Sequence, residues 1–429
     1  MKTACQAMFV TILFLVRGSQ VYAQSLLEPA LVGGFYKERQ QALYWFAPDT
    51  ASASLRGAFF SILDSVADHG LDSGRYHLKE LREWDGSPAA GVTRGLREQD
   101  EWFTDGVIAC FRALRSGAGI YEQVSYDGVT PSIEEEEDRN LLARLAKVRT
   151  AGQLKELARD LTPGTAAYDT LKLALLQARA AGDSGKCAAL VTALNIYRWI
   201  HHHAFPRYMV VNIAAANLCY YERDSLRLQM KVVVGRPSTR TPRFAAWCDQ
   251  LILYPYWNVP RKIAVNEFLP LFRKSPALVA TMNMQLLDGR GRIIDPLGLD
   301  WSRYTKNNFP YALRQSTGCD NALGVIKFNL TSPYDVYMHD TNLKQAFRSD
   351  HRYYSHGCIR LEKPLELAVA LLDGKLDTAM LAAGLKDQQP HPLRLEKAVP
   401  VFVVYLPADI EAGAEGRLAW YGDVYHLLK

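Results

Sequence analysis

No C-x-x-C pair occurs among the seven cysteines of this 429-residue chain, so zinc ribbons and thioredoxin-like redox chemistry have no support. Charge of one sign is also scarce. Lysine plus arginine is 50 against 45 acidic residues, a formal charge of +5, too thin a surplus to argue for a nucleic-acid partner. No internal repeat or low-complexity linker interrupts the sequence, which excludes solenoids and long disordered tails. Outside the first twenty residues no apolar run is long enough to cross a bilayer, so no integral membrane span is expected in the mature chain. What is present is 48% apolar, 22% charged and 11% aromatic, enough to bury the cores of two or three domains.

Lys2 leads into an apolar stretch from Ala4 to Val16, followed by Arg17-Gly18-Ser19 and Val21-Tyr22-Ala23. This is the layout of a secretory signal peptide over residues 1–23, with small residues flanking a cut after Ala23. The apolar segment, about 13 residues, is short for a membrane anchor. The mature chain is therefore expected in an extracytoplasmic space. Without Cys5, six cysteines remain: Cys110, Cys187, Cys219, Cys248, Cys319 and Cys358. An oxidising compartment permits disulfides among them, but the spacings are wide and irregular, and buried small hydrophobes are the plainer reading for five of the six.

Residues 24–185 read as a helical domain. Leu55, Phe59, Ile62, Leu63 and Val66 recur at helical steps, as do Val107, Ile108, Phe111 and Leu114, and Asn140–Leu161 reads as one amphipathic helix after the acidic run Glu134–Asp138. A last helix, Ala166–Ala181, meets the loop Gly182-Asp183-Ser184-Gly185, taken as the domain boundary. After about residue 205 the pattern alternates with period two, in 208–213, 225–234, 251–259, 325–328, 334–338 and 399–405. Two helical insertions are expected, Ala264–Met284 and Pro364–Leu372. The fold class is α+β: a helical N-terminal domain feeding a mostly antiparallel β domain over residues 186–429. Residues 261–312, helical, polar and flanked by prolines, read as a capping insertion or lid.

The chemistry concentrates in Tyr337-Met338-His339-Asp340-Thr341 and Ser355-His356-Gly357-Cys358-Ile359-Arg360. A thiol of ordinary pKa is only about 3% ionised at neutral pH, so a nucleophilic cysteine needs a base or a positive field. His339, ending a strand, can supply the base to Cys358. Gly357 lets a substrate carbonyl approach the backbone, and its N–H with that of Cys358 would form an oxyanion hole. Arg360 is placed to meet a carboxylate with a two-pronged hydrogen bond. Ser355 lacks a G-x-S-x-G elbow and is the weaker nucleophile. His201-His202-His203 points in three directions on any regular element, so no metal site is expected there. Trp257, Trp301 and Tyr304 are candidates for groove walls, with core packing as the alternative.

The order of His339, Ser355-His356-Gly357-Cys358 and Arg360 resembles the signature of the L,D-transpeptidases with a YkuD-type catalytic domain. Val232-Val233-Val234-Gly235-Arg236-Pro237 with Thr241-Pro242, Tyr254-Pro255-Tyr256-Trp257-Asn258-Val259-Pro260, Leu313-Arg314-Gln315 with Gly318, and Asn321-Ala322-Leu323-Gly324 with Lys327-Phe328 extend the resemblance to a large periplasmic, YcbB-like subfamily, which implies a periplasmic location for the mature chain; Phe35-Tyr36 and His69-Gly70-Leu71-Asp72 resemble its helical scaffold.

The resemblance implies peptidoglycan remodelling without metal or cofactor. Cys358 attacks the bond between a diamino acid and the terminal D-alanine of a tetrapeptide stem, and a second stem's amine takes the acyl group in a 3→3 cross-link. His339 is the implied base, with a backbone carbonyl rather than Asp340 as its orienting partner. His356 and Gly357 shape the cysteine loop, and Arg360, Ser355, Trp257, Asn258 and Tyr337 are the implied substrate contacts. Carbapenems are expected to acylate Cys358. Peptidoglycan stem peptides are the implied partners, along with other cell-wall synthesis proteins. The same site serves an L,D-carboxypeptidase, an endopeptidase or wall-protein attachment equally well, because the acceptor is chosen by groove shape. The small peptidoglycan-binding module usual in this subfamily has no counterpart between Ala181 and Leu194.

Overall fold

The computed structural model describes residues 26–86, 95–119, 124–126, 131–203, 205–318, 320–378, 381, 388–413 and 416–428. The expected signal peptide and Cys319 lie outside them. No helix among the described residues is long and apolar enough to cross a membrane.

Among the described residues six α-helices build the N-terminal bundle: α1 (Pro29–Glu38), α2 (Thr50–Ser65), α3 (Leu78–Gly86), α4 (Leu96–Ser116), α5 (Pro131–Lys147) and α6 (Ala151–Asp160). The residues at helical steps in the sequence form its core, with Phe59, Phe103, Phe111 and Leu145 fully enclosed. The single helix expected over 140–161 is two. Thr150 accepts from the backbone of Gln153, and the Gln153 side chain accepts from the backbone of Thr150, a reciprocal cap that starts α6 and ends the previous run at Lys147. Asp100 is buried in the bundle without a cation. Its oxygens accept from the backbone of Tyr44, Trp45 and Phe46 and from the Tyr36 hydroxyl, tying residues 36–46 to α4.

α7 (Ala166–Ala180) and α8 (Ser184–His202) follow. The Gly182–Gly185 loop, expected as the domain boundary, forms a turn in which Gly182 takes a positive φ of 69° and the Asp183 carboxylate accepts from the backbone of Lys186 to start α8 at Ser184. α8 also receives the His69-Gly70-Leu71-Asp72 turn. Gly70 has φ 71°, and a Cβ there would lie 3.3 Å from the Val191 backbone. The buried guanidinium of Arg198 donates to the His69 carbonyl, the Tyr168 hydroxyl and Asn195, so helix and turn are bolted together.

Ser125–Tyr126 forms a short strand, β1, parallel to β5. Strands β2 (Arg207–Asn212), β3 (Asn217–Glu222), β4 (Ser225–Gly235) and β5 (Phe244–Leu253) begin the second domain. The insertion contributes β6 (Trp257–Asn258), β7 (Met284–Leu287), β8 (Ile293–Ile294) and β9 (Ala312–Gln315). The chain then returns with β10 (Ile326–Leu330), β11 (Met338–His339), β12 (Tyr353–Ser355), β13 (Ile359–Leu361), helix α9 (Pro364–Leu371), the long β14 (His391–Val404) and the hairpin β15 (Ala408–Ile410) and β16 (Leu418–Trp420). The order β5-β10-β11-β13-β4-β3-β2-β14 closes because β14 pairs back onto β5. Closure removes the free edges and makes the sheet a barrel. Around the ring every pairing is antiparallel except β11–β13 and β2–β14.

Period-two alternation sends Met209, Val211, Val232, Val234, Phe328, Met338 and Ile359 inward to one apolar core. The opposite residues face outward: Ala245, Phe402 and Val404 pack against Leu190, Leu194 and Trp199 of α8, which joins the helical half to the barrel.

The insertion differs from the expected polar, helical lid. Helical segments span 261–274 and Leu278–Thr281, but β6, β9, β7 and β8 form a four-stranded sheet with its own core of Phe268, Phe272, Met284, Leu286 and Phe309. Trp301 is buried in that core and Tyr304 packs on it, so both build the insertion rather than a groove wall. Their irregular spacing on short elements leaves no period to read.

Candidate active site

The parallel pairing of β11 with β13 builds the site. Parallel neighbours need a crossover, and here residues 340–358 leave the end of β11 and return to the start of β13. His339 then sits opposite Arg360, and Met338 opposite Ile359. Met338 and Ile359 point into the barrel, so Tyr337, His339, Cys358 and Arg360 share its outer face. The antiparallel register of β10 puts Lys327 opposite His339 on that face. Lys327 belongs to a segment that resembles the family, but only this register places it beside His339.

His339 is buried, and its Nδ1 lies 2.5 Å from the Asp340 carbonyl oxygen. A carbonyl only accepts, so Nδ1 carries the hydrogen and Nε2 presents its lone pair. Burial, reinforced by the Arg360 charge, lowers its pKa to about 3, so the ring is neutral across the physiological range. The Asp340 carboxylate is engaged elsewhere, accepting from the backbone of Val325 at 3.0 Å and pairing with Lys344. Gly324 allows that approach: its φ is 58°, and a Cβ would collide with the Asp340 carboxylate.

Cys358 is half-buried, with Sγ 3.8 Å from the Asp335 carbonyl oxygen. Burial pushes its thiol up, while Tyr337 and the charges of Lys327 and Arg360 pull the other way without cancelling it. At rest the pair is therefore neutral imidazole and neutral thiol. Lys327 Nζ stands 4.1 Å from the Tyr337 ring centre. Burial pushes Lys327 and Arg360 down, Cys358 pulls both back, and no carboxylate pairs with either among the described residues. Trp257 of β6 lies close enough to the Tyr337 hydroxyl to lower its pKa against the larger effect of burial, and packs edge-on against Phe268 of the insertion. Asn258 is exposed beside it, opposite Arg314.

The cysteine loop is held from inside and from below. Ser355 is buried; its hydroxyl donates to the Cys358 carbonyl at 2.6 Å and accepts from Gly357 N–H at 3.1 Å. Ser355 is thus a staple of the turn rather than a residue of the groove surface. The Gly357 N–H, expected as an oxyanion donor, is occupied by it. The Cys358 N–H meets no acceptor among the described residues. Gly357 has φ 119°, a conformation that glycine adopts without strain. His356 points outward, its Nε2 2.7 Å from both Arg236 and Glu267 of the insertion. One ring nitrogen accepts from Arg236 or donates to Glu267, not both at once, so His356 ties the cysteine loop to the insertion through alternative partners.

Thr241, from the Thr241-Pro242 pair that follows the Val232–Pro237 motif, and Tyr425, which no motif marks, complete the cradle. Thr241 Oγ1 donates to the Gly357 carbonyl at 2.8 Å and accepts from Gly235 N–H at 2.9 Å, while the Tyr425 hydroxyl donates to the Gly235 carbonyl and accepts from Thr241 N–H. Thr241→Val keeps the shape and leaves two buried groups unpaired, at about 1–3 kcal/mol each. The expected result is a loss in kcat of about 10-fold or more with KM little changed, from displacement of the thiol. Thr241→Ser restores the hydroxyl and is expected to restore kcat; failure of that rescue would sink the positioning role.

Histidines 201–203 assemble no metal site. No group of metal-ligating side chains occurs among the described residues, His201 is exposed, and His203 lies buried between Phe205 and Phe402. Cys110, Cys187, Cys219, Cys248 and Cys358 are free thiols.

Residues 206–379 match the family model for the L,D-transpeptidase catalytic domain, YkuD, and residues 30–175 match the model of the scaffold domain. A Haemophilus influenzae protein provisionally assigned as an L,D-transpeptidase is 35% identical over 226 residues, which are 52% of this chain and 44% of that protein. The chain thus spans less than half the length of that relative. Among solved structures, an L,D-transpeptidase from Mycobacterium smegmatis is 13% identical, covering 46% of this chain and 58% of its own, with TM-score 0.21. L,D-transpeptidase 1 of Mycobacterium tuberculosis is 14% identical, covering 46% and 61%, with TM-score 0.18.

Proposed function

We propose that this chain, which joins a YkuD-type L,D-transpeptidase catalytic domain to a scaffold domain, cross-links peptidoglycan stems through a thioester on Cys358. The observation that carries the reading is the shared outer face of β11 and β13: a neutral histidine with a free Nε2, a thiol two residues back on the neighbouring strand, and two cations without carboxylate partners.

Nε2 of His339 takes the thiol proton as Sγ attacks the carbonyl between the diamino acid and D-alanine. The oxyanion meets the Cys358 N–H, a contact of a kind typically worth about 3 kcal/mol of barrier. The departing D-alanine amine takes the proton from Nε2, leaving the thioester. A second stem's amine then attacks, gives its proton to Nε2, and expels the thiolate, which recovers it. Lys327 and Arg360 favour the thiolate and oxyanion and suit the carboxylates of an anionic stem. Trp257, Asn258 and Tyr337 line the donor side where the insertion meets the barrel. Water excluded by the insertion leaves the amine as acceptor. Such a reaction places the mature chain outside the cytoplasmic membrane, in keeping with a signal peptide ending at Ala23.

Purified protein incubated with disaccharide-tetrapeptide tests the reading by mass spectrometry. A dimer lacking one D-alanine, absent with Cys358→Ala, is expected. Tripeptide without dimer would replace transpeptidation by carboxypeptidation, and an active Cys358→Ala would overturn the site.

A further inference from the structure

A second cavity, of about 450 Å³, opens on the outer face of β2 and β3, two strands beyond β13 around the ring. α8 and the segment around β15 enclose it. Its volume is that of a small-ligand site. Asp409 lies in its lining. Oδ1 accepts from the Tyr197 hydroxyl at 2.7 Å and from the backbone of Ile410 at 2.9 Å, while Oδ2 accepts from Asn212 at 2.8 Å and keeps a lone pair. All three donors are neutral. Burial pushes the carboxyl up to about 6, the mark of a charge lacking its counter-ion.

The rest of the lining has the same sign. Asp224 and Glu411 join Asp409, and among the described residues no lysine or arginine lines the cavity, His201 being its one basic side chain there. Glu411 is paired with Arg417, and Asp224 accepts from the Tyr208 hydroxyl, so Asp409 is the carboxylate left for a guest. Tyr197, Tyr208 and Tyr221 supply aromatic faces, the last two stacked 4.9 Å apart. Ile200, Val210 and Leu226 supply an apolar wall. An anion would be repelled, and a neutral sugar gives the carboxylate no charge partner. A cation on a short alkyl stem satisfies carboxylate, rings and wall together.

We propose that this pocket binds a primary ammonium group carried on an alkyl chain, with Asp409 as its counter-ion and the three tyrosines around the stem. The inference is independent of the catalytic reading, because Cys358 takes no part in it.

Calorimetric titration of the full chain tests it with pentylamine, N-acetylpentylamine and an N-acetylated lysine peptide amide. Saturable binding of an amine is expected, weakened by about 10-fold or more on acetylation and in Asp409→Asn, the equivalent of about 1.4 kcal/mol. Leu226→Lys brings an ammonium of the chain's own into the pocket from a partly exposed position and is expected to abolish binding, a check that stands even where Asp409→Asn fails to fold. The tighter of the free amine and the peptide names the source. Equal binding of amine and N-acetyl derivative, no saturable binding of either amine, or loss of binding in Cys358→Ala would each overturn the assignment.

Discussion

His339→Ala is expected to lower the rate of thioester formation by about 10³-fold at pH 7, and to return part of that loss as the pH rises. The size follows from the resting state of the pair. Burial holds the Cys358 thiol above its ordinary pKa, so without a base the reactive thiolate is scarcer than the few per cent of a free cysteine. With His339 present, the proton moves to Nε2 only as the bond forms, so the enzyme needs no preformed ion pair. Because Nε2 is unprotonated down to about pH 3, the wild-type rate is not expected to fall through the ordinary histidine range near pH 6.5. The variant must instead follow ionisation of the thiol, rising with pH throughout the alkaline range. Alkylation by iodoacetamide, which needs only the thiolate, gives the same contrast without substrate. Asp340→Asn is the control: its carboxylate holds Val325 and Lys344, so it is expected to change stability and leave the shape of the pH profile intact. A wild-type acid limb near pH 6.5, or equal profiles for wild type and His339→Ala, would remove His339 as the base.

What the sequence made legible was local. Alternation at 325–328 placed β10, and helical spacing found α2 and α4, because side-chain periodicity reports which face is buried; the strand expected over 334–338 forms only at Met338–His339. His339 and Cys358 were found by residue type and by likeness to a known motif. Lys327-Phe328 is part of the likeness, but its role at the site escaped because its place beside His339 depends on the β10–β11 register, a non-local quantity. The roles of Thr241, itself part of the likeness, and of Tyr425 escaped for the same reason, the two lying 116 and 190 residues from the backbone groups they hold. The Gly357 N–H was assigned to an oxyanion from its position before the nucleophile. Which way a turn's N–H points depends on φ, and here φ 119° turns it to Ser355. The insertion misled because its strands are two to four residues long, shorter than a period-two pattern can announce.

Acid is expected to destabilise the fold steeply, with the thermal midpoint at pH 5 roughly 10 °C below that at pH 7. Four histidines are responsible. Burial lowers His69, His202 and His339 to about 3 and His203 to about 4, with Lys172, Arg115 and Arg360 adding repulsion at His69, at the 202–203 pair and at His339. In the unfolded chain each titrates near 6.5, so between that value and the folded ones the unfolded state binds more protons. The stability they contribute is present above pH 6.5 and is lost as the pH falls through that value towards 3. Each contributes at most about 1.4 kcal/mol per pH unit in that window. Asp409 works in the opposite sense: its carboxyl is raised to about 6, so the folded state gains protons first and offsets about one histidine below that pH. His203→Phe gives the discriminating measurement. The ring lies among Trp199, Phe205 and Phe402, where phenylalanine fits in size and cannot charge. Calorimetric scans of this variant are expected to show a shallower fall between pH 7 and 5 at a similar midpoint at pH 7, whereas a midpoint independent of pH in the wild type would show that these rings are charged, or solvated, in the folded chain.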